Sequence, residues 1–248
     1  MEEKNYVPEL KNVSETLLVP LYFRAKETLE TGKIQDFAAV EILKKIQYDF
    51  RKMSDDKDTQ KLITTRTQIL DKIVSEYVPK REKTVIVNLG AGLDTRHMRF
   101  DKSIKWYHLD LEKPMQLRKL FFGKDDIHIT KDILDFSWIE DIDERKDVLI
   151  IIEGVSMYLK EEEVKSIFRA ISSKFKNSYI AFDTIPKSFV NIKEHQSIDM
   201  KQAPFQWGND DLSEIEKWEF GFEKVENYHY VSNNTSDRGF KVSLMRIN

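Results

Sequence analysis

The chain has 248 residues, of which 40% are hydrophobic and 33% are charged, a composition typical of a globular protein and not of a disordered one. Its 40 basic and 43 acidic residues leave a net charge of -3, so no nucleic-acid partner is expected. The absence of cysteine excludes disulfides and thiolate sites, and the longest aliphatic run, residues 148–152, is too short to cross a bilayer. We therefore expect one domain in the cytoplasm, with no membrane partner.

The first 80 residues are predicted to form a helical cap that belongs to the same domain as the core, residues 81–248. Pro20 suits the first position of a helix that stops near Gly32. Asp36 can cap a second helix, and the polar residues 51–57 then predict a loop or a poorly ordered linker. A longer helix is expected from about residue 58 to residue 77.

Arg66 lies on the apolar face of this third helix. At 100° per residue it falls between Leu62 and Ile69, so an always-charged side chain points into an apolar stripe. Arg66 therefore needs an anion as its partner.

After Lys83 the chain alternates between strands and helices, which favours a doubly wound α/β sheet. Near the end, two segments that alternate apolar and polar residues suggest an antiparallel hairpin. The predicted parallel strands are residues 85–89, 106–109, 127–130, 148–152 and 179–182, and the hairpin strands are residues 223–231 and 240–247. Residues 186–208 are long for a connection and are predicted to cover an active site.

A glycine-rich turn follows the first predicted strand. Gly90 and Gly92 flank Ala91, where glycine permits a tight turn and the close approach of a ligand. A dinucleotide fingerprint requires a third glycine where this chain has Thr95, so NAD and FAD are not expected. The alternative is a glycine turn that binds no ligand.

Three acidic residues follow predicted strands, where ligands bind in open parallel sheets. Asp110 comes about 20 residues after the glycine turn, a spacing suited to ribose hydroxyls, with a helix N-cap as the alternative. Asp132 could accept from an adenine amino group while the Ile133 N–H bonds a ring nitrogen, or it could be a solvated turn residue. Glu153 ends the most buried strand and needs a cationic partner, either a ligand amino group or Arg66.

Four strings resemble motifs of the leucine carboxyl methyltransferase family, which includes protein phosphatase methyltransferases and tetracenomycin-type polyketide O-methyltransferases. They are NLGAGLDTRHMRF (88–100), IEGVSMYL (152–159), TTRTQILD (64–71) and, less specifically, LYFRA (21–25). The resemblance implies a Rossmann-like methyltransferase fold, with a seven-stranded, mostly parallel sheet that ends in the hairpin.

The resemblance also implies S-adenosylmethionine as the cofactor. Arg66 would hold its methionine carboxylate, Glu153 would contact the cofactor, and Tyr158 would lie near the methyl group and the acceptor. The predicted cofactor site comprises Arg66, Gly90, Ala91, Gly92, Asp94, Asp110, Leu111, Asp132, Ile133, Glu153 and Gly154. The predicted catalytic residues are Tyr158, Arg24 and His195.

The sequence allows two roles for each of several basic residues. Arg24 lies off the centre of its helix's apolar face and is either a binding residue or solvated surface. Arg96 and Arg99 could attract an anionic acceptor or be structural, with Asp94 as a partner for the helix-opening arginine. The five histidines show no pair at metal-ligand spacing, so no metal is expected, and His195 is the remaining acid–base candidate.

Methyl transfer from a sulfonium requires alignment of acceptor oxygen, methyl carbon and sulfur, and it needs no metal. A carboxylate, with a pKa near 4, is already an anion at neutral pH, whereas a phenol, with a pKa of about 10, needs a base. No convincing base is visible, so we expect O-methylation of a carboxylate on a polyketide-like small molecule or a peptide. The alternatives are methylation of a hydroxyl group and a non-catalytic cofactor-binding or interaction module.

Overall fold

The computed structural model describes residues 6–78, 84–123, 126–142, 147–229 and 239–248. Seven strands form one sheet in the order β3-β2-β1-β4-β5-β7-β6. The strands are β1 (Val85–Leu89), β2 (Lys105–Asp110), β3 (Ile127–Thr130), β4 (Val148–Ile152), β5 (Ser178–Thr184), β6 (Phe222–His229) and β7 (Lys241–Ile247).

The first five strands run parallel, and β7 pairs antiparallel with both β5 and β6. The Rossmann-like prediction with a C-terminal hairpin is confirmed. β2 and β5 extend beyond their predicted ends, and residues 230–238, which contain most of the predicted hairpin turn, lie outside the described residues. Because the strand order reverses beside β1, the carboxyl ends of β1 and β4 border the crevice where ligands bind in such sheets.

Six α-helices accompany the sheet in the described part of the chain. They are α1 (Leu18–Glu30), α2 (Phe37–Lys45), α3 (Lys57–Tyr77), α4 (Glu112–Phe121), α5 (Glu161–Lys174) and α6 (Ser213–Glu216). α5 packs Phe168 into the core on one face of the sheet together with Val87, and α3 packs Leu70 on the other face together with Ile86. No helix in the described residues is long and apolar enough to span a membrane.

The N-terminal helices differ from the prediction at their ends. A 3-10 helix, Asn12–Leu17, leads directly into α1, so α1 begins before Pro20. Residues 51–57 are not a poorly ordered linker, because a 3-10 helix, Phe50–Met53, buries Met53 to 2% exposure in an apolar cluster. α4 was anticipated only in the N-cap alternative for Asp110, which placed a helix start before Glu112.

Asp36 joins the N-terminal helices to the core. It caps α2 by accepting from the Ala39 N–H at 3.0 Å, as predicted, and it pairs with Arg24 of α1 at 2.9 Å. It also accepts from the Thr95 hydroxyl and lies 3.1 Å from Arg99, both beyond the glycine turn. Burial alone would raise the pKa of Asp36, but the Arg24 and Arg99 guanidiniums hold it below its usual value.

We predict that Asp36→Ala lowers the free energy of unfolding by about 3–5 kcal/mol, because it leaves a buried guanidinium without its carboxylate. Urea denaturation measures the change. Asp49→Ala is the matched control, since Asp49 pairs with Arg51 at 2.7 Å while the Arg51 side chain is 89% exposed. The control should lose far less stability, and equal losses in both variants would contradict the role given to Asp36.

Candidate active site

One cavity of about 400 Å³ lies at the carboxyl ends of β1, β2, β4 and β5. Its walls contain every residue of the predicted cofactor and catalytic sets. The residues concerned are Arg24, Arg66, Gly90, Ala91, Gly92, Asp94, Asp110, Leu111, Asp132, Ile133, Glu153, Gly154, Tyr158 and His195. The structure therefore brings together residues that are up to 171 positions apart in the sequence, from Arg24 to His195.

The glycine turn has no room for side chains at its first position. Gly90 has a φ of +71°, and a Cβ there would lie 2.3 Å from Cγ2 of Val155. The N–H groups of Gly90 and Ala91 both donate to the carbonyl of Leu109, at 2.8 and 2.9 Å, which fixes the turn against β2. The turn is thus held in one conformation, with its backbone facing the cavity.

Asp110 supports the same turn from the end of β2. Its carboxylate accepts from the N–H groups of Gly92 and Leu111, each at 2.7 Å. The N-cap of α4 is Leu111, without a side-chain cap, so the capping alternative for Asp110 is wrong. Burial raises the pKa of Asp110 to about 6, against the opposing effect of the two backbone hydrogen bonds.

Asp132 lies after β3 in an exposed turn, where its Oδ1 accepts from the Leu134 N–H at 2.9 Å. This is the turn geometry that the sequence left as the alternative. Asp132 nevertheless lines the cavity together with the buried Ile133. Both residues are therefore placed where a ligand at the β3 end of the cavity would meet them.

Glu153 and Arg66 form the ion pair that the sequence left as an alternative. Arg66 donates to Glu153 at 2.9 Å and to Asp183, at the end of β5, at 2.8 Å. Asp183 also accepts from the Gly154 N–H at 2.7 Å. Asp183 was not predicted as a site residue, although it directly follows the predicted fifth strand, as the other acids follow theirs.

Arg96 is a second, fully buried partner of Glu153. Its guanidinium donates to Glu153 at 2.8 Å, to Asp94 at 2.6 Å and to Asp71 of α3 at 2.7 Å. The predicted pairing with Asp94 is confirmed. Burial alone would raise the pKa of Glu153, but Arg96 and Arg66 hold it below its usual value. Glu153 is therefore an anion held between two guanidiniums.

Arg99 and Arg24 also take part in internal pairs. Arg99 forms hydrogen bonds with Asp71, and neither Arg99 nor Arg96 is among the residues that line the cavity. Arg24 is 3% exposed and donates to Asp36 and to the Leu93 carbonyl, each at 2.9 Å, so its solvated alternative is wrong. The structure favours the structural interpretation of Arg96 and Arg99.

The other end of the cavity is mostly apolar. Burial raises the pKa of Tyr158 to about 12, so its hydroxyl keeps its proton at neutral pH and can donate a hydrogen bond. Tyr158 packs against Phe205 of the predicted covering segment at 5.6 Å between ring centroids. Further apolar residues of this end are Leu62, Ile63, Phe189, Ile198 and Phe240. Their convergence was not predicted from the sequence, because they come from three separate segments: α3, residues 186–208 and the residue before β7.

A histidine cluster lies outside the cavity, behind the glycine turn. The fold brings His97, His108 and Asp126 together, which the spacing of histidines in the sequence did not reveal. His97 lies 3.0 Å from Asp126, and the buried Arg118 guanidinium lies 3.4 Å from His97 and 3.7 Å from Asp126. A cation there would face the positive charge of Arg118. The prediction that the protein binds no metal therefore stays a prediction.

A parallel sheet, a glycine turn after β1 and acidic residues at the strand ends define the class of Rossmann-like proteins that bind a nucleotide-type cofactor. The family model described as leucine carboxyl methyltransferase matches residues 21–172. The chain belongs to the leucine carboxyl methyltransferase family and is an S-adenosylmethionine-dependent O-methyltransferase. The resemblance seen in the sequence is thereby confirmed.

Two relatives and one solved structure show the extent of the similarity. Tetracenomycin polyketide synthesis O-methyltransferase TcmP of Streptomyces glaucescens is 25% identical over 205 residues, covering 80% of this chain and 76% of the relative. The S-adenosyl-L-methionine-dependent methyltransferase dpfgK of Gibberella zeae is 26% identical over 234 residues, covering 84% and 78%. A candidate methyltransferase from Thermobifida fusca YX has the same fold, with a TM-score of 0.64, 15% identity, and coverage of 96% of this chain and 95% of that chain.

We predict that Gly90→Ala costs about 1–3 kcal/mol more stability than Gly32→Ala, and that it also weakens cofactor binding. Both glycines have nearly the same positive φ, +71° and +69°, so both variants carry similar backbone strain. Only Gly90 would also overlap Val155, because nothing lies within 4 Å of a Cβ at Gly32. Denaturation curves measure both losses, and equal losses would show that the crowding at Gly90 is not limiting.

Proposed function

We propose that this enzyme methylates a carboxylate of a small, largely apolar acceptor. The proposal rests on the ion pairing and protonation of ionisable groups that line the cavity. Glu153 and Asp183 are both bound by Arg66, and Tyr158 keeps its proton, so none of these three is a ready base. An acceptor that is already an anion needs no base.

We also propose how the cavity holds its cofactor, which supplies an electrophilic methyl group on a sulfonium. Carboxylates at the strand ends, beside a glycine turn that exposes backbone rather than side chains, fit a ligand with hydroxyl and amino groups. Asp110 would accept from the ribose hydroxyls, Asp132 from the adenine amino group, and Glu153 from the methionine amino group, while Arg66 would bind the methionine carboxylate. Leu111 and Ile133 would cover the adenine.

The acceptor would occupy the apolar end of the cavity. We propose that residues 1–80 act as a cap on the core and that residues 186–208 cover the acceptor. A cavity of about 400 Å³ suits a small molecule better than a folded protein partner. The relative TcmP is named for polyketide synthesis, which supports a polyketide-like acceptor. We place the reaction in the cytoplasm, a location that suits a chain without cysteine.

We predict that Asp110→Ala weakens S-adenosylmethionine binding by about 1.5–3 kcal/mol, because ribose hydrogen bonds to a carboxylate are lost. Calorimetric titration measures the dissociation constant. Asp101→Ala is the control, since Asp101 is an exposed turn residue that accepts from the Ser103 N–H at 2.8 Å. Unchanged affinity in Asp110→Ala would return Asp110 to a role in the turn alone.

The pKa of Asp110 adds a pH dependence to this test. Its carboxyl takes up a proton as the pH falls through about 6, and the protonated form is a poorer hydrogen-bond acceptor. Wild-type affinity should therefore fall between pH 7 and pH 5, and Asp110→Ala should show a smaller change over the same range.

The acceptor class is tested with paired aromatic acceptors that differ only in bearing a carboxylate or a phenol, using labelled methyl donor. We predict transfer to the carboxylate, with a rate that changes little between about pH 6.5 and pH 9, because the acceptor is ionised throughout. Transfer to the phenol alone, with a rate that rises with pH, would contradict the proposal. Transfer to a peptide carboxylate alone would contradict the small-molecule assignment.

A further inference from the structure

His195 lines the apolar end of the cavity. One side of its imidazole ring accepts a hydrogen bond from the backbone. The Ser197 N–H donates to Nδ1 of His195 at 3.1 Å. The Ser197 hydroxyl donates to Asp56 at 2.6 Å, and Asp56 caps α3 by accepting from the Thr59 N–H at 3.0 Å. The imidazole is therefore anchored, through Ser197, to the first turn of the helix that carries Arg66.

This anchoring selects one tautomer of His195. A neutral imidazole has one N–H, and a ring nitrogen that accepts a hydrogen bond cannot carry it. With Nδ1 accepting from Ser197, the proton lies on Nε2. Burial lowers the pKa of His195, against the opposing effect of the Asp56 carboxylate, so the ring is neutral at neutral pH. Nε2 therefore has a hydrogen to donate and no lone pair with which to take a proton.

We propose that His195 binds the acceptor carboxylate by donating its Nε2–H to one carboxylate oxygen, and that it does not act as a base. This inference rests on the proposed carboxylate acceptor. A carboxylate has two oxygens, so one can be held by a donor while the other attacks the methyl carbon. A phenolate has a single oxygen, and a donor bound to it would reduce the electron density needed for attack. A fixed donor thus favours carboxylates over phenols.

The surroundings of His195 strengthen such a bond. Its ring meets Phe205 edge-on at 6.2 Å between centroids, and Phe205 in turn packs against Tyr158. A hydrogen bond to a charged oxygen is stronger in apolar surroundings than in water. The Tyr158 hydroxyl, which also keeps its proton and is hydrogen-bonded to Thr16, lines the same cavity.

The test compares His195→Gln with His195→Met in the full chain, using the carboxylate acceptor and labelled methyl donor. Glutamine can place an N–H near the position of Nε2 but cannot act as a base, whereas methionine fills similar space without a donor. We expect the KM for the acceptor to rise roughly ten- to a hundredfold in His195→Met, and to stay within about threefold of wild type in His195→Gln. The dissociation constant for S-adenosylmethionine should stay unchanged in both variants.

Three outcomes would overturn the inference. A large loss of kcat in both variants with an unchanged KM indicates a base. Wild-type kinetics in both variants show that His195 does not touch the acceptor, and an equal rise of KM in both shows that the donor is irrelevant. Failure of the proposed function is distinguishable, because the wild-type enzyme would then methylate only the phenol of the paired acceptors.

Discussion

The structure depends on Arg96 having three carboxylate partners from three parts of the fold. Asp71 comes from α3, Asp94 from the segment after the glycine turn, and Glu153 from the end of β4. A buried charge that loses its partner costs several kcal/mol, so these elements cannot move independently. The walls of the cofactor cavity are therefore fixed by ion pairs as well as by apolar packing, before any ligand binds.

The same network contains one more carboxylate than it has guanidiniums. Its arginines are Arg24, Arg66, Arg96 and Arg99, and its carboxylates are Asp36, Asp71, Asp94, Glu153 and Asp183. Burial raises the pKa of Asp183, and the neighbouring Glu153 adds to the rise despite the opposing effect of Arg66. Such surroundings favour a cationic ligand and disfavour an anionic one. Under the proposed function, an anionic acceptor is better accommodated at the apolar end, beside the hydrogen-bond donor His195.

Sequence reasoning identified the parts of this site that depend on local patterns. Short apolar runs predicted the strands, and the position after a strand selected Asp110 and Glu153, because ligand sites in such sheets lie at strand ends. It could not pair Arg96 with Asp71 and Glu153, since that contact depends on how α3 crosses the sheet. Asp183 could have been found by the same strand-end rule. The convergence of His97 with Asp126 is long-range and leaves no trace in residue spacing.

The apolar end of the cavity was the hardest part to predict from the sequence, because its walls come from segments that meet only in the folded chain. Two hydrogen bonds hold residues 186–208 against the rest of the domain. The Ser197 hydroxyl donates to Asp56, and the Gln206 N–H donates to the Met157 carbonyl at 2.7 Å. Neither hydrogen bond involves the arginine network. Substitution of an apolar side chain such as Ile198 is therefore expected to reshape the apolar end of the cavity and to leave the arginine network intact. Under the proposed function, the two ends of the cavity would let the acceptor site vary independently of the cofactor site.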